Sequence, residues 1–522
     1  MSRPQTLGEL KRSGYRPRTV KEEMRGNALR MIAAGEEFLP GIIGFDRTVL
    51  PQLQNAILSK HDFILLGLRG QAKTRILRSL IRFLDETIPV IANTPLNDDP
   101  LRPLSAEARR IVAEQGDSAP IEWLAREDRY REKLATPDVT LADLIGDVDP
   151  IKAASRRLSL ADPEAIHFGI IPRSNRCIFA LNELPDLQPR IQVGLLNIMQ
   201  EKDVQIRGFP VRFPLDLVIV YSANPEDYTN RGNIITPLKD RIDSQIITHY
   251  PTTLDDALRI TTQEAWVARD SGFALHVPPF IREAIEEVTF QARESEYVDQ
   301  GSGVSARLSI TALENLLSNM ERRAAQHGQT ETWSRVSDLY AALPALTGKI
   351  ELVYEGEQEG LSKVARLLTG KALARVFKRH FPGAYKPRRR ERTAGASGAG
   401  GSQSAARGPS PAGGPAGPPL PLDDSSPYRD VIQWFSGGKK LDLSDEMSER
   451  EYREALEQVN GLKAIAAKHW RSGDEGEIYA AMELVLEGLH QNSLLSKEDL
   501  DHGFAYGDML QTMFSGMGRE AE

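Results

Sequence analysis

Eight residues, Gly67 to Thr74, read GLRGQAKT and follow the apolar run FILL. Gly67, Lys73 and Thr74 match the phosphate-loop pattern G-x-x-x-x-G-K-[ST], with Ala72 where the second glycine belongs. A strand, a glycine-bearing loop and a helix start aim backbone N–H groups and the positive helix end at phosphates. Lys73 would reach the β- and γ-phosphates of a nucleotide such as ATP, and the Thr74 hydroxyl would hold Mg²⁺. Gly70 keeps the loop permissive, and Gln71 lies inside it. Alanine at position 72 restricts φ, so it should tighten the loop without removing a donor. The plain alternative is a structural lysine at a strand-to-helix turn. The apolar run before the loop and the helical pattern TRILRSLIRFLDE after it favour the phosphate reading.

Further along, the run CIFAL ends in Asn182-Glu183. In P-loop ATPases a strand at this point ends in Asp-Glu: the aspartate supports Mg²⁺ and the glutamate activates water. Glu183 fits the second role. Asn182 keeps hydrogen-bonding capacity for water on the metal but brings no charge, so metal binding should weaken. Asp186 would compensate only if its loop folds back. A third run, LDLVIVYSANPED, ends at Asn224, an amide placed to orient water or sense a γ-phosphate. Arg241 in LKDRID and Arg307 in SGVSARLSI follow in that order. Singly, each arginine reads as a solvated charge; in this order after a phosphate loop they form a constellation.

These groups need strands to carry them. Phe63–Leu66, Val90–Ala92, Cys177–Leu181 and Leu215–Tyr221 are short buried-strand candidates alternating with helical patterns, the signature of an α/β fold with a parallel sheet. From about residue 251 to 368 helical patterns dominate. An insert, about residues 98–143, contains the helical-looking stretches SAEARRIVAEQ and IEWLAREDRYREKLA and reads as a surface elaboration or partner contact. The basic stretch Lys371–Arg392 reads as a solvated helix end or a contact for an anionic partner or nucleic acid. Residues 393–427 hold 8 Gly and 7 Pro, which cannot build a core, so they form a flexible linker. Residues 428–522 hold 10 basic and 19 acidic residues in amphipathic patterns. They read as a small acidic helical module that docks a partner or its own body. Its fragment DLSDE, at Asp442, lacks the second serine of a metal-binding D-x-S-x-S loop.

The 522 residues exceed one ordinary core, and the net charge of −8 excludes nucleic-acid binding by bulk positive charge. One cysteine, Cys177, excludes a disulfide framework and a cysteine-based zinc site within this sequence. The N-terminal residues carry positive charge without a following apolar stretch, unlike a secretory signal. No apolar run approaches the roughly 20 residues that span a bilayer. The expectation is a cytoplasmic, multi-domain protein without a membrane partner and without nucleic acid as a ligand.

The motif order resembles that of AAA+ ATPases: phosphate loop, acidic strand end, strand-end Asn, D-R, then G-x-S-x-R. In detail the chain is similar to the MoxR and magnesium-chelatase branch, across roughly residues 25 to 370. The run GIIPRSNRCIFALNELPDL resembles that branch's approach to its acidic strand end, and QEKDVQIRGFPVRFPLDLVIVYSANPED its β-hairpin insert and sensor strand. IIGFDRTV, with Ile43, resembles the segment near the adenine. The resemblance implies a three-layer α/β P-loop domain over 25–250, after an N-terminal extension over 1–24. A helical lid over 251–392 follows, then the linker and the acidic C-terminal module. It makes Glu183 the catalytic base, Asn224 sensor 1, Arg241 an arginine finger acting on a neighbouring subunit, and Arg307 sensor 2 on the lid. Ring assembly, with six subunits the family expectation, follows from the trans arginine. The expected partner is a protein with a metal-binding von Willebrand A-type domain on another chain. A different class stays open: a nucleotide-binding switch or scaffold with impaired hydrolysis, favoured by Asn182. A bacterial enhancer-binding activator would need a G-A-F-T-G-A-like loop and a helix-turn-helix, and the sequence has neither.

Overall fold

The computed structural model describes residues 3–157, 165–201, 214–224, 233–384, 426–500 and 503–509. The expected β-hairpin over 202–213, the basic residues 386–392 and nearly all of the 393–427 linker lie outside the described residues. The chain divides into two compact units. The first holds residues 1–257 with 300–306; the second holds 258–299 with 307–522.

The first unit is built on a five-stranded sheet. Its strands are β1 (Phe63–Leu66), β4 (Tyr130–Leu134), β7 (Cys177–Asn182), β8 (Leu217–Ala223) and β9 (Ser244–Ile247), in the order β4-β7-β8-β1-β9. Every pairing in it is parallel. Parallel strands are covered on both faces, so they need near-continuous apolar runs rather than alternation. CIFALN and LVIVYSA supply them, and all of their residues are buried. The two-residue pleat then sorts side chains between two cores. Ile64, Phe179, Ile219 and Tyr221 feed one, with helices Pro189–Glu201 and Thr236–Arg241. Phe63, Leu65, Ile178 and Val220 feed the other, with helices Val20–Ala33, Val49–Leu58 and Lys73–Ser79. This is the three-layer α/β arrangement expected from the sequence.

The region 98–143 differs from expectation. SAEARRIVAEQ is helical over Ala106–Gln115, but IEWLAREDRYREKLA forms β3 (Ile121–Ala125), a 3-10 turn over Arg126–Arg129, and β4. β4 is an edge strand of the central sheet, paired with β7 from Tyr130↔Ile178 to Leu134↔Asn182. The charged sequence has ordinary helix propensity, and sheet pairing overrides it. Arg129 anchors the turn: its guanidinium grips both oxygens of Glu23 at 2.7 Å, and its Nε donates to Arg176 O at 3.0 Å. The Val90–Ala92 candidate lies largely in β2 (Thr87–Ile91), which pairs antiparallel with β3 instead of joining the central sheet. β5 (Gly146–Val148) and β6 (Ile166–Phe168) form another small antiparallel ribbon.

The second unit is mostly helical, with long helices Pro279–Glu294, Arg307–His327 and Leu361–His380. It also holds a short parallel pair, β10 (Ala274–His276) and β11 (Glu331–Trp333). Residues 426–500 and 503–509 fold within this same unit. Besides helices they form an antiparallel sheet of β12 (Leu441–Ser444), β13 (Leu495–Leu500) and β14 (Gly503–Asp508), in the order β12-β14-β13. The DLSDE fragment is largely β12, with Asp442 opposite Ala505. Among the described residues no helix is long and apolar enough to cross a membrane.

Candidate nucleotide-binding site

In a parallel sheet, ligands bind outside the carboxyl ends of the strands. Three candidate residues or loops stand there. The loop begins at Gly67, directly after β1; Glu183 follows β7; Asn224 follows β8. The registers Leu66↔Ala223 and Leu181↔Tyr221 bring the three strand ends level. Neighbouring strands are about 4.8 Å apart, so Asn224 lies one strand from the loop and Glu183 two, at about 10 Å.

The loop's shape follows from its backbone angles. Gly70 has φ +74° and Ala72 has φ +57° with ψ +13°, so two left-handed residues stand two apart. Alternating hands of this kind turn successive N–H groups into one concavity, an anion-binding nest. Ala72 thus occupies the left-handed position that suits glycine, and the alanine holds it under strain rather than simply narrowing its freedom. The Lys73 ammonium is buried inside the loop, donating to Gly67 O and, at 3.0 Å, to Leu68 O. Thr74, in the first turn of the helix, is exposed.

Residues far along the chain brace this loop. Thr248, immediately after β9, donates its hydroxyl to Gln71 Oε1 at 2.8 Å. A Cβ on Gly67 would lie 1.9 Å from that hydroxyl oxygen, so only glycine fits beside it. Ser305 presses on Gly70, where a Cβ would meet its Oγ at 2.0 Å. Arg69 Nε donates to Gly303 O at 3.1 Å, and the Tyr250 hydroxyl donates to Arg69 O at 2.8 Å. The motif S-G-V-S-A-R therefore contributes its serine and glycine to the loop. The sequence carries that signal, but beside the more conspicuous Arg307. Ile43 is half-buried in the segment before helix Val49–Leu58. That segment meets the residues after β9 through Phe45, whose ring lies edge-on to His249 at 5.0 Å.

The acidic strand end has its own brace. Ser222 Oγ donates to Asn182 Oδ1 at 3.1 Å and accepts from Glu183 N at 3.3 Å. Asn182 is buried, whereas Glu183 is half-exposed with φ +54°, ψ +50°. A left-handed residue at a strand end turns the chain sharply and is commonly a functional feature. Asp186 lies in the 3-10 turn just after it.

Arg241 lies away from the loop. Arg241 ends helix Thr236–Arg241, and its Nη1 donates to Pro237 O at 2.8 Å. Two residues on, Asp243 accepts from Asp62 N at 2.9 Å, and Ser244 pairs with Phe63, the first residue of β1. Arg241 thus stands near the strand starts, with the four-residue span of β1, about 13 Å, between that end and the loop. Arg307 is the first residue of helix Arg307–His327 in the second unit, two positions after Ser305.

The donor set suits a polyphosphate: a nest of N–H groups, a lysine inside it, and Arg69 and Arg75 nearby in the chain. For a divalent ion the protein itself offers the Thr74 hydroxyl and the Asn182 amide. Among the described residues no group of three or more metal-ligating His, Cys, Asp or Glu occurs.

No protein-family model matches the chain. Its sequence is similar to the magnesium-chelatase subunit ChlI of Nostoc sp., 29% identical over 256 residues. The match covers 48% of this chain and 62% of that relative, less than two thirds of its length. Two solved structures show similarity at the level of the chain trace. One is a crystallised candidate ATPase of Cytophaga hutchinsonii: 19% identity, 70% of this chain, 97% of that one, TM-score 0.28. The other is the complex of the BchI and BchD subunits of magnesium chelatase: 19% identity, 65% of this chain, 97% of that one, TM-score 0.30.

Proposed function

We propose that this chain, which resembles AAA+ ATPases of the MoxR and magnesium-chelatase type, binds ATP at Gly67–Thr74, hydrolyses it, and works as a ring motor on a partner protein. One observation carries the reading: Lys73 lies inside a loop with two left-handed residues at the end of β1, with Asn224 at the end of neighbouring β8 and Glu183 at the end of β7, one strand further on. Lys73 and the loop amides neutralise and orient the phosphates. Asn224 positions the attacking water, and Glu183 takes its proton. Mg²⁺, when bound, screens the charge of the phosphates; Thr74 and Asn182 are the side chains that would hold it. Arg241 serves the nucleotide of a neighbouring copy, and Arg307 reports on the γ-phosphate from the lid. An arginine of this kind is worth about 10³–10⁵ in rate. The names of the relatives support a chelatase-type partner, and a protein with a von Willebrand A-type domain fits that role. A six-membered ring and a cytoplasmic setting complete the proposal.

ATP turnover measured against protein concentration tests it, with Glu183→Gln and Arg241→Ala as controls. Specific activity that rises with concentration, and that both variants abolish while still binding ATP, is the expected outcome. Flat, near-zero turnover no faster than that of Glu183→Gln would instead favour a second reading, a nucleotide-held switch. The uncharged Asn182, committed to Ser222, is the observation on its side.

A further inference from the structure

The described residues on either side of the Gly/Pro-rich segment touch. The described chain stops at Ala384 and resumes at Ser426, and the two ends meet: the Tyr428 hydroxyl donates to Pro382 O at 2.7 Å. The Tyr428 ring also lies 5.8 Å from that of Phe377, on the helix leading into the segment. Two points so close need no long spacer between them.

Beyond Ser426 the chain is locked into the lid by buried polar groups. Glu483 is buried and accepts from Val336 N at 2.8 Å, Ser337 N at 3.0 Å and the Tyr452 hydroxyl at 2.8 Å. Glu487, also buried, takes the Tyr340 hydroxyl at 3.0 Å and the Lys497 ammonium at 2.7 Å. Arg335 Nη2 reaches Met447 O at 2.8 Å, and Trp333 Nε1 reaches Asp474 at 2.8 Å. Separating these partners would leave charges and amides unpaired, a far larger penalty than the pairs' net worth. The backbones also come too close for side chains: a Cβ on Gly476 would lie 2.3 Å from the Trp333 ring, and one on Gly488 2.2 Å from Phe377.

The same contacts hold helix Arg307–His327. At its end, His327 Nε2 donates to Glu446 O at 2.8 Å. Within it, buried Arg323 pairs with Asp338, whose other oxygen accepts from Arg335 N at 2.7 Å. We infer that residues 428–500 are a permanently seated part of the lid and the mount for the helix that begins with Arg307, not a detachable recruiting arm. The role in turnover rests on the hydrolysis reading above; the docking does not.

The test places a specific protease site near residue 405 of the full chain, cuts it, and follows both pieces by size exclusion and ATP turnover. The expected result is co-elution at micromolar concentration with turnover equal to the uncut protein. Separation of the wild-type pieces on cutting overturns the docking. Glu483→Gln keeps the shape but replaces one accepting oxygen with an NH2 that faces donors, so the cut pieces should dissociate about ten- to hundredfold more readily. Gly488→Leu should wedge them apart. Turnover that falls on separation while ATP binding persists supports the mount; turnover unchanged after separation overturns that role and leaves the docking standing.

Discussion

Ser222 Oγ lies 3.1 Å from Asn182 Oδ1 and donates to it, so the amide at the acidic strand end is held in place but carries no charge. A carboxylate there would accept the same bond and add a negative charge toward a Mg²⁺ held by Thr74. Charged acceptors are roughly twice as strong as neutral ones. Asn182→Asp should lower the Mg²⁺ concentration for half-maximal turnover by about tenfold, around 1.4 kcal/mol. A Mg²⁺ titration of the two proteins decides it, and an unmoved midpoint removes Asn182 from the metal's surroundings.

Gly67 faces Thr248 and Gln71 with no room for a methyl group. Gly67→Ala should push Thr248 aside and break its 2.8 Å bond to Gln71. Overpacking of this sort costs about 1–3 kcal/mol, so ATP affinity should fall about tenfold or more. Adding Thr248→Ala removes the nearest clash and should return part of that loss. Calorimetric binding of ATP to the single and double variants reads both effects.

Ala72 holds φ +57° where an L-residue is strained by about 1–2 kcal/mol. Glycine relieves the strain but brings about 0.5–1 kcal/mol of extra chain freedom. The balance leaves Ala72→Gly slightly more stable, by about 0.5 kcal/mol. Ala72→Val should be clearly less stable than wild type, because a β-branched residue tolerates this region worst. Denaturant midpoints of the three proteins should fall in the order Gly, Ala, Val.

Asp216 precedes β8 and accepts from Val20 N at 3.0 Å. Burial raises its pKa to about 6, while the backbone bond from Val20 and the charges of Arg176 and Arg129 pull it down. Unfolded, it titrates near 4, so between about pH 4 and 6 the folded state binds more protons and stability falls as pH rises. Asp216→Asn removes that slope while keeping an acceptor for Val20. The melting temperature of the variant relative to wild type should climb from pH 4 to 6 and then level off. A difference that is flat across that window would show that the carboxyl is not strained by burial.

The strand ends that carry the candidate residues were more legible than the rest of the scaffold. Lys73, Glu183 and Asn224 could be placed because a short apolar run ending in a polar residue is a local signal, and β1, β7 and β8 are such runs. Thr248 and Ser222 were invisible for the opposite reason. Each acts through one hydroxyl on a backbone distant in sequence, and nothing in its neighbours marks it. β4 was hidden because its charged residues YREKL carry helix propensity, and pairing with buried β7 decides their conformation. Sequence left open whether the module after the linker docks a partner or its own body: Glu483 and Glu487 look like the solvent face of an acidic helix until the backbone amides and hydroxyls that bury them are seen.

Arg241 is fixed near the strand starts by Asp243, which binds Asp62 N, while the loop lies at the strand ends. An arginine so placed is poorly sited for its own subunit's nucleotide, which fits the proposed role across an interface between copies. Arg241→Ala and Glu183→Gln should each be inactive alone. Mixed, an Arg241→Ala subunit keeps its Glu183 and can take an arginine from a Glu183→Gln neighbour. Random mixing at equal amounts makes roughly one site in four complete in a head-to-tail ring. Turnover of the mixture should therefore recover to roughly a quarter of wild type if sites fire independently. Were Arg241 to serve its own subunit, every Arg241→Ala site would lack its arginine and every other site its base. The mixture would then stay as inactive as either variant, at any ratio and at any concentration that assembles the ring.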